Sequence, residues 1–412
     1  MYPKHESSRH NARVLFNWEI SSYFGWGLYG LNLMLAWADR PDLRLATLAP
    51  LNPGTIDVDP LELRRIGPTL HRSIAVQAEL KAFAGQGVTM PGLMLHALGN
   101  SLTPIPSAHG TCVQGTSNIG VAFLEHAPLS EKAALQLQQY PLIVAGSSWN
   151  QQILEAAGAP RVELVLQGID TSHFHPAPRR NLFPGRFVVF SGGKLEHRKG
   201  QDLVLQAFRI FAERHKEALL LTAWSSPWPH LAQTLGADEG LLPPSLTVDG
   251  QLDTGGWTQR NGIPEDQTVH CGAVPNRAMA RILREADVAL FPNRAEGGTN
   301  LVAMECMASG VPVILSANTG HLDLLQDGSA IALRQQANVP GEGHLGWGNS
   351  NVEEMVEALE AVYRDRHTAC ARARQGAHNL SELTWTNQMT RLADLLLAYL
   401  PESEGTSHQA CC

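Results

Sequence analysis

The amino-acid sequence predicts an α/β protein of two Rossmann-like parallel-sheet domains facing a central cleft. Short apolar runs of strand type alternate with helical patterns along the chain, the order a parallel sheet demands, since each strand needs a long crossover before its parallel neighbour. A chain of 412 residues is also longer than one hydrophobic core usually serves. Finally, two segments about a hundred residues apart each read as strand, glycine-rich turn and helix, a layout that sets ligands at the carboxyl ends of open α/β sheets.

The strand-type runs of the first half are residues 13–17, 44–48, 92–96, 119–124, 142–146 and 162–166. Those of the second half are 186–190, 218–222, 268–271, 288–291, 312–315 and 330–333. Beyond them, apolar residues return at helical spacing over 352–364 and 386–400. Residues 224–267, with Pro227, Pro229, Pro243 and Pro244, exceed a usual connection and read either as an excursion near the cleft or as surface padding.

With 44% apolar and 17% charged residues, the composition is that of a soluble globular protein. A net charge of −8 and a pI near 6.1 argue against nucleic acid as the main partner. The first ten residues are polar, without the apolar core of a secretory leader. The longest apolar stretch, 23–38, is interrupted by Gly25, Gly27, Gly30 and Asn32 and is too short to span a bilayer. Cys112, Cys271, Cys306, Cys370, Cys411 and Cys412 show no metal-type spacing. The expectation is a cytoplasmic protein with reduced thiols and no metal site. Cys411-Cys412 reads as an exposed tail or as a lipidation signal.

The richest segment covers 291–314, where Glu296 precedes a Gly297-Gly298 turn and Glu305 lies inside the helix that follows. A turn at a helix start presents unpaired backbone N–H groups and the positive end of the dipole, which hold phosphate oxygens. Carboxylates beside it accept charge-assisted hydrogen bonds from sugar hydroxyls. The plain alternative is an ordinary N-cap by Thr299 or Asn300. The second segment, 187–208, ends an apolar run in Ser191-Gly192-Gly193 and carries Lys194, Arg198 and Lys199 before a helix striped with Leu203, Val204, Ala207, Phe208 and Phe211. In isolation three loop cations read as a solvated cluster.

In the first half, Gly25 and Gly27 sit between strand and helix, where they either leave room for a ligand or let the chain turn tightly. Glu125 and His126 follow the 119–124 run, and because strand neighbours face opposite sides, one of the two reaches a cleft. Glu125 is the choice. His96 and Asn100 occupy a similar place, with a satisfied core histidine as the plain reading of His96; His109 has no assigned role.

Together these segments resemble the GT-B-fold glycosyltransferases, specifically the large retaining family four. Gly193-Lys194-Leu195 with Lys199-Gly200 is similar to the family's Gly-Arg-Leu-x-x-x-Lys-Gly, with Lys for Arg. Pro292 through Val313 resembles its Pro-Ser-x-x-Glu-Gly-Phe-Gly-x-x-x-x-Glu-Ala-Met-Ala-x-Gly-x-Pro-Val. Residues 165–170 with Phe174 and Pro176 look like the interdomain linker, and 269–275 like the element whose backbone reads the nucleotide base. The resemblance runs from about Arg13 to about Leu400. It implies an acceptor-side domain over 1–170, a nucleotide-sugar-binding domain over 171–384, a helix over 385–400 crossing back to the first domain, and a flexible tail over 401–412.

The implied activity is a retaining, metal-independent transfer from a nucleotide diphosphate sugar to an acceptor hydroxyl, without a cofactor. Lys194 and Lys199, with the amides of Thr299, Asn300 and Leu301, would hold the diphosphate; Glu305 would take the ribose hydroxyls and Glu296 would sit beside the donor sugar. Gly272 and Val274 would meet the base, Gly25, Gly27, Gly193 and Gly298 would leave room for the donor, and Glu125 would position donor sugar or acceptor. The segment departs from the family's pattern in that eight residues separate Glu296 from Glu305 where the family has Glu-x7-Glu, and Gly298-Thr299-Asn300 replaces the Phe-Gly pair, so the role of Glu296 depends on a bulge. Two further classes stay open, a non-hydrolysing sugar-nucleotide epimerase and a non-catalytic nucleotide-sugar-binding subunit. A phosphorylase ranks last, because its cofactor lysine has no matching motif. Saccharides, lipid-linked molecules and small metabolites are all compatible acceptors, which leaves peripheral membrane contact open.

Overall fold

Every apolar run named above becomes a strand in the computed structural model, which describes residues 12–400 apart from 108, 236–239 and 327. The expected tail over 401–412, with Cys411 and Cys412, lies outside the described residues. Strands β1 (Ala12–Phe16), β2 (Leu43–Thr47), β3 (Gly87–Leu98), β4 (Cys112–Ala122), β5 (Ile143–Ala145) and β6 (Val162–Leu164) form one sheet in the order β2-β1-β3-β4-β5-β6. Strands β7 (Phe187–Lys194), β8 (Ala218–Ser225), β9 (Thr268–His270), β10 (Val288–Phe291), β11 (Val313–Ser316) and β12 (Ile331–Leu333) form a second, in the order β12-β11-β10-β7-β8-β9. All pairings in both sheets are parallel. Helices cover both faces, so the strands are apolar on both sides: Phe187, Val188, Val189 and Phe190 are all buried. The strand order reverses between β1 and β3 and between β7 and β10, and the crevices at these two points face each other.

Among the strands, three elements depart from the sequence reading: β4 begins seven residues before the expected 119, and β3 and a hairpin differ as well. β3 begins five residues before the expected 92, because Pro91 interrupts the ladder without ending the strand. The register shifts between Met90 and Leu93, and Gly92 adopts φ 120° so close to β1 that a Cβ there would stand 2.5 Å from the Arg13 carbonyl. The antiparallel hairpin of β13 (Gln336–Asn338) and β14 (Gly348–Ser350) was not anticipated, since its polar strands carry no apolar alternation. Its connecting segment reaches the first domain, where Ala127 N–H donates to Gly343 O at 2.8 Å and Leu345 N–H to Ala127 O at 2.9 Å.

Helix Trp385–Leu396 packs on helix Gly25–Trp37 of the first domain. Trp37 Nε1–H donates to Met389 O at 2.9 Å, and Ile169 N–H to Leu383 O at 2.8 Å. No helix among the described residues is long and apolar enough to cross a membrane.

The irregular segment after β10 owes its shape to one buried ion pair. Arg294, 1% exposed, binds both oxygens of the fully buried Asp202, Nη1 to Oδ1 at 2.9 Å and Nη2 to Oδ2 at 2.7 Å. The same guanidinium donates to His197 O at 2.8 Å and to Asn349 Oδ1 at 2.9 Å, and Arg294 N–H donates to Arg198 O at 2.7 Å. One side chain thus ties the glycine turn to the loop after β7, to helix Gln201–Arg214 and to β14. Replacing Asp202 by Ala leaves a buried guanidinium uncompensated, and we expect a loss of about 3–5 kcal/mol in denaturant unfolding.

Candidate active site

Both strand-order reversals open on one cavity of ≈ 290 Å³ between the domains. The loop after β7 supplies Gly193, Lys194, Arg198 and Lys199; the turn after β10 supplies Glu296, Gly298 and Asn300; Leu301 and Glu305 follow on helix Leu301–Ala308. Gly272 and Val274 form one end, and from the first domain come Gly25, Phe123 and Glu125.

Arg198 is the centre of the charge arrangement. Its Nη2 lies 2.7 Å from Glu125 Oε1 across the domain boundary and 2.5 Å from Glu196 Oε1, and its Nη1 lies 3.1 Å from Glu296 Oε2. Lys199 pairs with Glu296, which also accepts from Asn293 Nδ2. Lys194 Nζ stands 3.0 Å from Glu196 and 4.9 Å over the ring of Trp228. Burial alone would push Glu296 up, but Lys199 and Arg198 outweigh it and hold the carboxyl down to about 2. For Lys199 burial prevails over the attraction of Glu296 and draws the ammonium below the usual lysine range. Arg198, buried against the same carboxylates, is held more firmly charged. Three cations and three carboxylates therefore balance one another, and an incoming anion would compete with carboxylates rather than with water.

Glu305 sits in a different environment. It is 4% exposed and its carboxylate accepts from Asn276 Nδ2, yet burial outweighs that bond and pushes the carboxyl up to about 8. At neutral pH it is mainly a neutral acid, able to donate as well as accept. Asn300 caps its helix from a left-handed conformation, φ 68°, with Oδ1 accepting from Ala303 N–H at 3.3 Å. Its amide nitrogen then faces His321 Nε2 at 3.0 Å, so that ring nitrogen must accept, and burial lowers His321 to about 4, keeping it neutral. The left-handed turn at Asn300 lies between the two carboxylates, and with the extra residue both still face the cavity.

Two expected site residues do not reach the cavity. Gly27 is occupied by packing: a Cβ there would stand 2.4 Å from Ser21 Cβ and 2.7 Å from Ser21 N, so its missing side chain lets helix Gly25–Trp37 dock on that loop. Thr299, expected to contribute its backbone N–H, is fully buried and outside the cavity lining, and its hydroxyl lies 2.8 Å from Met304 Sδ. His126 turns away from the cavity toward His344 and Trp347, at ring-centroid distances of 5.9 Å and 5.7 Å. His96 is a core residue, 1% exposed, with Nε2 2.8 Å from Asn118 Oδ1. Asn100 acts on Glu125 indirectly, its Oδ1 accepting from the N–H groups of Glu125 and His126 at 2.8 and 3.1 Å. Trp347 Nε1–H donates to Glu125 O at 2.8 Å.

Sequence reasoning named Arg198 among the loop cations but gave it no role, and missed Glu196, Asn276 and Trp228. Glu196 stands two residues from Arg198 and was legible as part of the charged loop. Asn276 and Trp228 carried no such signal; Trp228 comes from the long 224–267 connection, which thereby reaches the cleft.

On the empty protein, Gly27→Ala should cost about 1–3 kcal/mol through overpacking, whereas Gly25→Ala, with nothing within 4 Å of the added Cβ, should stay within about 0.5 kcal/mol; thermal unfolding separates them. Glu305 holds its proton more tightly folded than unfolded, so its contribution is full below about pH 4.5 and is lost as pH rises through about 8. We expect Glu305→Gln to remove that decline, with the variant gaining several degrees in midpoint over the parent between pH 5 and pH 9.

Comparison with known proteins agrees with this fold. A family description, "Family 4 Glycosyltransferase in conflict systems", matches residues 273–392, the stretch that holds Val274, Glu296 and Glu305. Mannosylfructose-phosphate synthase of Agrobacterium fabrum is 29% identical over 177 residues, 41% of this chain and 36% of that protein. GDP-mannose-dependent alpha-(1-6)-phosphatidylinositol monomannoside mannosyltransferase of Mycolicibacterium smegmatis is 25% identical over 249 residues, 57% of this chain and 56% of that protein. The chain thus spans between 36% and 56% of the length of these two curated relatives. Among solved structures, sucrose-phosphate synthase from Thermosynechococcus elongatus superimposes with a TM-score of 0.63 at 15% identity, covering 94% of this chain and 98% of that one. Anabaena HepE in complex with UDP does so with a TM-score of 0.60 at 14% identity, covering 94% and 100%. The structural likeness establishes the GT-B architecture, and in sequence the chain is similar to family-four glycosyltransferases over residues 273–392 and to the two curated relatives over 41% and 57% of its length.

Proposed function

We propose that the protein transfers a sugar from a nucleotide diphosphate sugar to an acceptor hydroxyl with retention at the anomeric carbon. The observation that carries this reading is the convergence of the Lys194, Arg198 and Lys199 loop, the start of helix Leu301–Ala308 and Glu305 on one cavity between the two domains. Breaking the anomeric bond leaves negative charge on the diphosphate while the sugar carbon becomes cationic. Cations already fixed by Glu196 and Glu296 receive that charge without reorganising, which is the largest kind of catalytic stabilisation a protein supplies.

In this reading Lys194 and Lys199, with the N–H groups at the start of helix Leu301–Ala308, hold the diphosphate, Glu305 meets the ribose hydroxyls, and the Gly272 to Val274 backbone meets the base. Glu296 keeps Lys199 in place beside the donor sugar. Glu125, held by Arg198 from the opposite domain, positions the sugar or the acceptor. A donor phosphate oxygen then takes the acceptor proton, so that no separate general base and no metal is required. Anabaena HepE was solved with UDP and the mycobacterial relative is GDP-mannose-dependent, so both bases enter the test.

Thermal unfolding with UDP, GDP and ADP sugars at about 1 mM should raise the midpoint for one base, since a donor of ~10 μM affinity adds about 2.7 kcal/mol. Lys199→Ala should lower turnover by about 10²–10³, measured as nucleoside diphosphate release, and NMR of the product should show the donor's anomeric configuration. Sugar isomerised yet still on the nucleotide would identify an epimerase instead. Tight donor binding with neither transfer nor hydrolysis would identify a non-catalytic subunit.

A further inference from the structure

The first-domain wall of the cavity has a chemistry of its own. We propose that the acceptor is a neutral saccharide, docked by a ring face on the aromatic wall of the first domain, and not a phosphorylated molecule. This inference rests on the transferase reading and names the substrate class of that site.

Charge is the first argument. Among the described residues that line the cavity, every lysine and arginine other than those of the β7 loop is absent from the wall: Lys194, Arg198 and Lys199 all come from the second domain. Each is paired, Lys194 with Glu196 at 3.0 Å, Arg198 with Glu125 at 2.7 Å, and Lys199 with Glu296. A donor diphosphate draws on these cations. A phosphorylated acceptor would bring a further charge of about −1.5 to −2 toward the wall that carries Glu125, whose side chain remains 38% exposed. Like charges in a partly enclosed cleft repel more strongly than in water.

The second argument is shape and surface. The first-domain wall presents Tyr23, Phe24, Trp26 and Phe123 to the cavity. Trp26 and Phe123 meet edge to face, with centroids 4.9 Å apart and planes at 89°, and Phe123 is braced again by Tyr29 at 5.6 Å. Tyr23 is 39% exposed, so its ring is available to a ligand. The C–H bonds on one face of a pyranose are slightly positive and are attracted by the negative face of an aromatic ring. The hydroxyls at the ring edge would then meet Glu125: Oε1 takes the Arg198 bond, and a carboxylate has acceptor capacity for about four hydrogens. Apolar wall plus one oriented carboxylate is the pattern of a site that binds a neutral polyol and fixes its orientation.

Saturation-transfer NMR tests this directly, with methyl glucoside, methyl mannoside and methyl galactoside as probes and their phosphate monoesters as matched partners. Each is measured on the full chain alone and with UDP or GDP, whichever raises the unfolding midpoint. We expect ring-proton saturation from at least one neutral glycoside and at least tenfold weaker binding of its phosphate ester. Glu125→Gln should narrow that gap, and Tyr23→Ala should weaken glycoside binding about tenfold while nucleotide binding is unchanged. The proposal is overturned if the phosphate esters bind as well as or better than the neutral glycosides, if no glycoside binds the nucleotide-loaded protein, or if Tyr23→Ala leaves glycoside binding intact. Failure of the transferase reading looks different: either no nucleotide raises the midpoint, or a donor binds and its sugar is never transferred, whatever the saccharides do.

Discussion

The arrangement of the site depends on the Arg294–Asp202 ion pair. The turn after β10 has no regular hydrogen-bond ladder, so its course must be set by side chains, and Arg294 supplies four of the bonds that set it. Asp202 begins the helix that follows the cationic loop, so the pair clamps the two halves of the proposed diphosphate site to each other. A fully buried pair of this kind adds little stability over an apolar replacement of similar size, but it fixes one geometry among several. Here that geometry puts Glu296 against Lys199 and Arg198, and the remaining charges follow from it.

How much of this was legible in the sequence depends on the range of the interaction concerned. The twelve strands of the two sheets were readable because buried parallel strands are apolar on both faces and most are set apart by helices. The start of β3 was not, since Pro91 and Gly92 normally end a strand and here only bend one. The β13–β14 hairpin was hidden because its residues are polar and its pairing is stabilised by neighbours such as Asn318, whose Nδ2 donates to Gln336 Oε1 at 3.0 Å. Motifs located Lys194, Lys199, Glu296 and Glu305, which share a cavity. They did not show that Arg198 joins Glu125 to Glu296, because those partners lie 73 residues before it and 98 residues after it. Gly27 resembled a ligand-side glycine, but a pattern does not tell a glycine that opens space for a ligand from one that admits a neighbouring loop.

The two acidic groups beside the proposed donor show how one fold sets a carboxyl to opposite states. Glu296 and Glu305 are both almost fully buried, so loss of water drives both toward the neutral acid. Glu296 has Lys199 and Arg198 at contact distance and stays an anion; Glu305 has an amide and becomes an acid. A single turn of chain therefore offers a permanent acceptor at one end and a group able to donate at the other.

The segment between β13 and β14 has a mechanical meaning. It leaves the second domain, hydrogen-bonds to both sides of Ala127, and ends at Trp347, whose indole holds the Glu125 carbonyl. A hinge that parted the domains would have to break these three bonds or drag the Glu125 loop along on this tether. For as long as these bonds hold, the width of the cleft and the aim of the carboxylate are coupled in one motion: the jaw opens only by also turning the tooth.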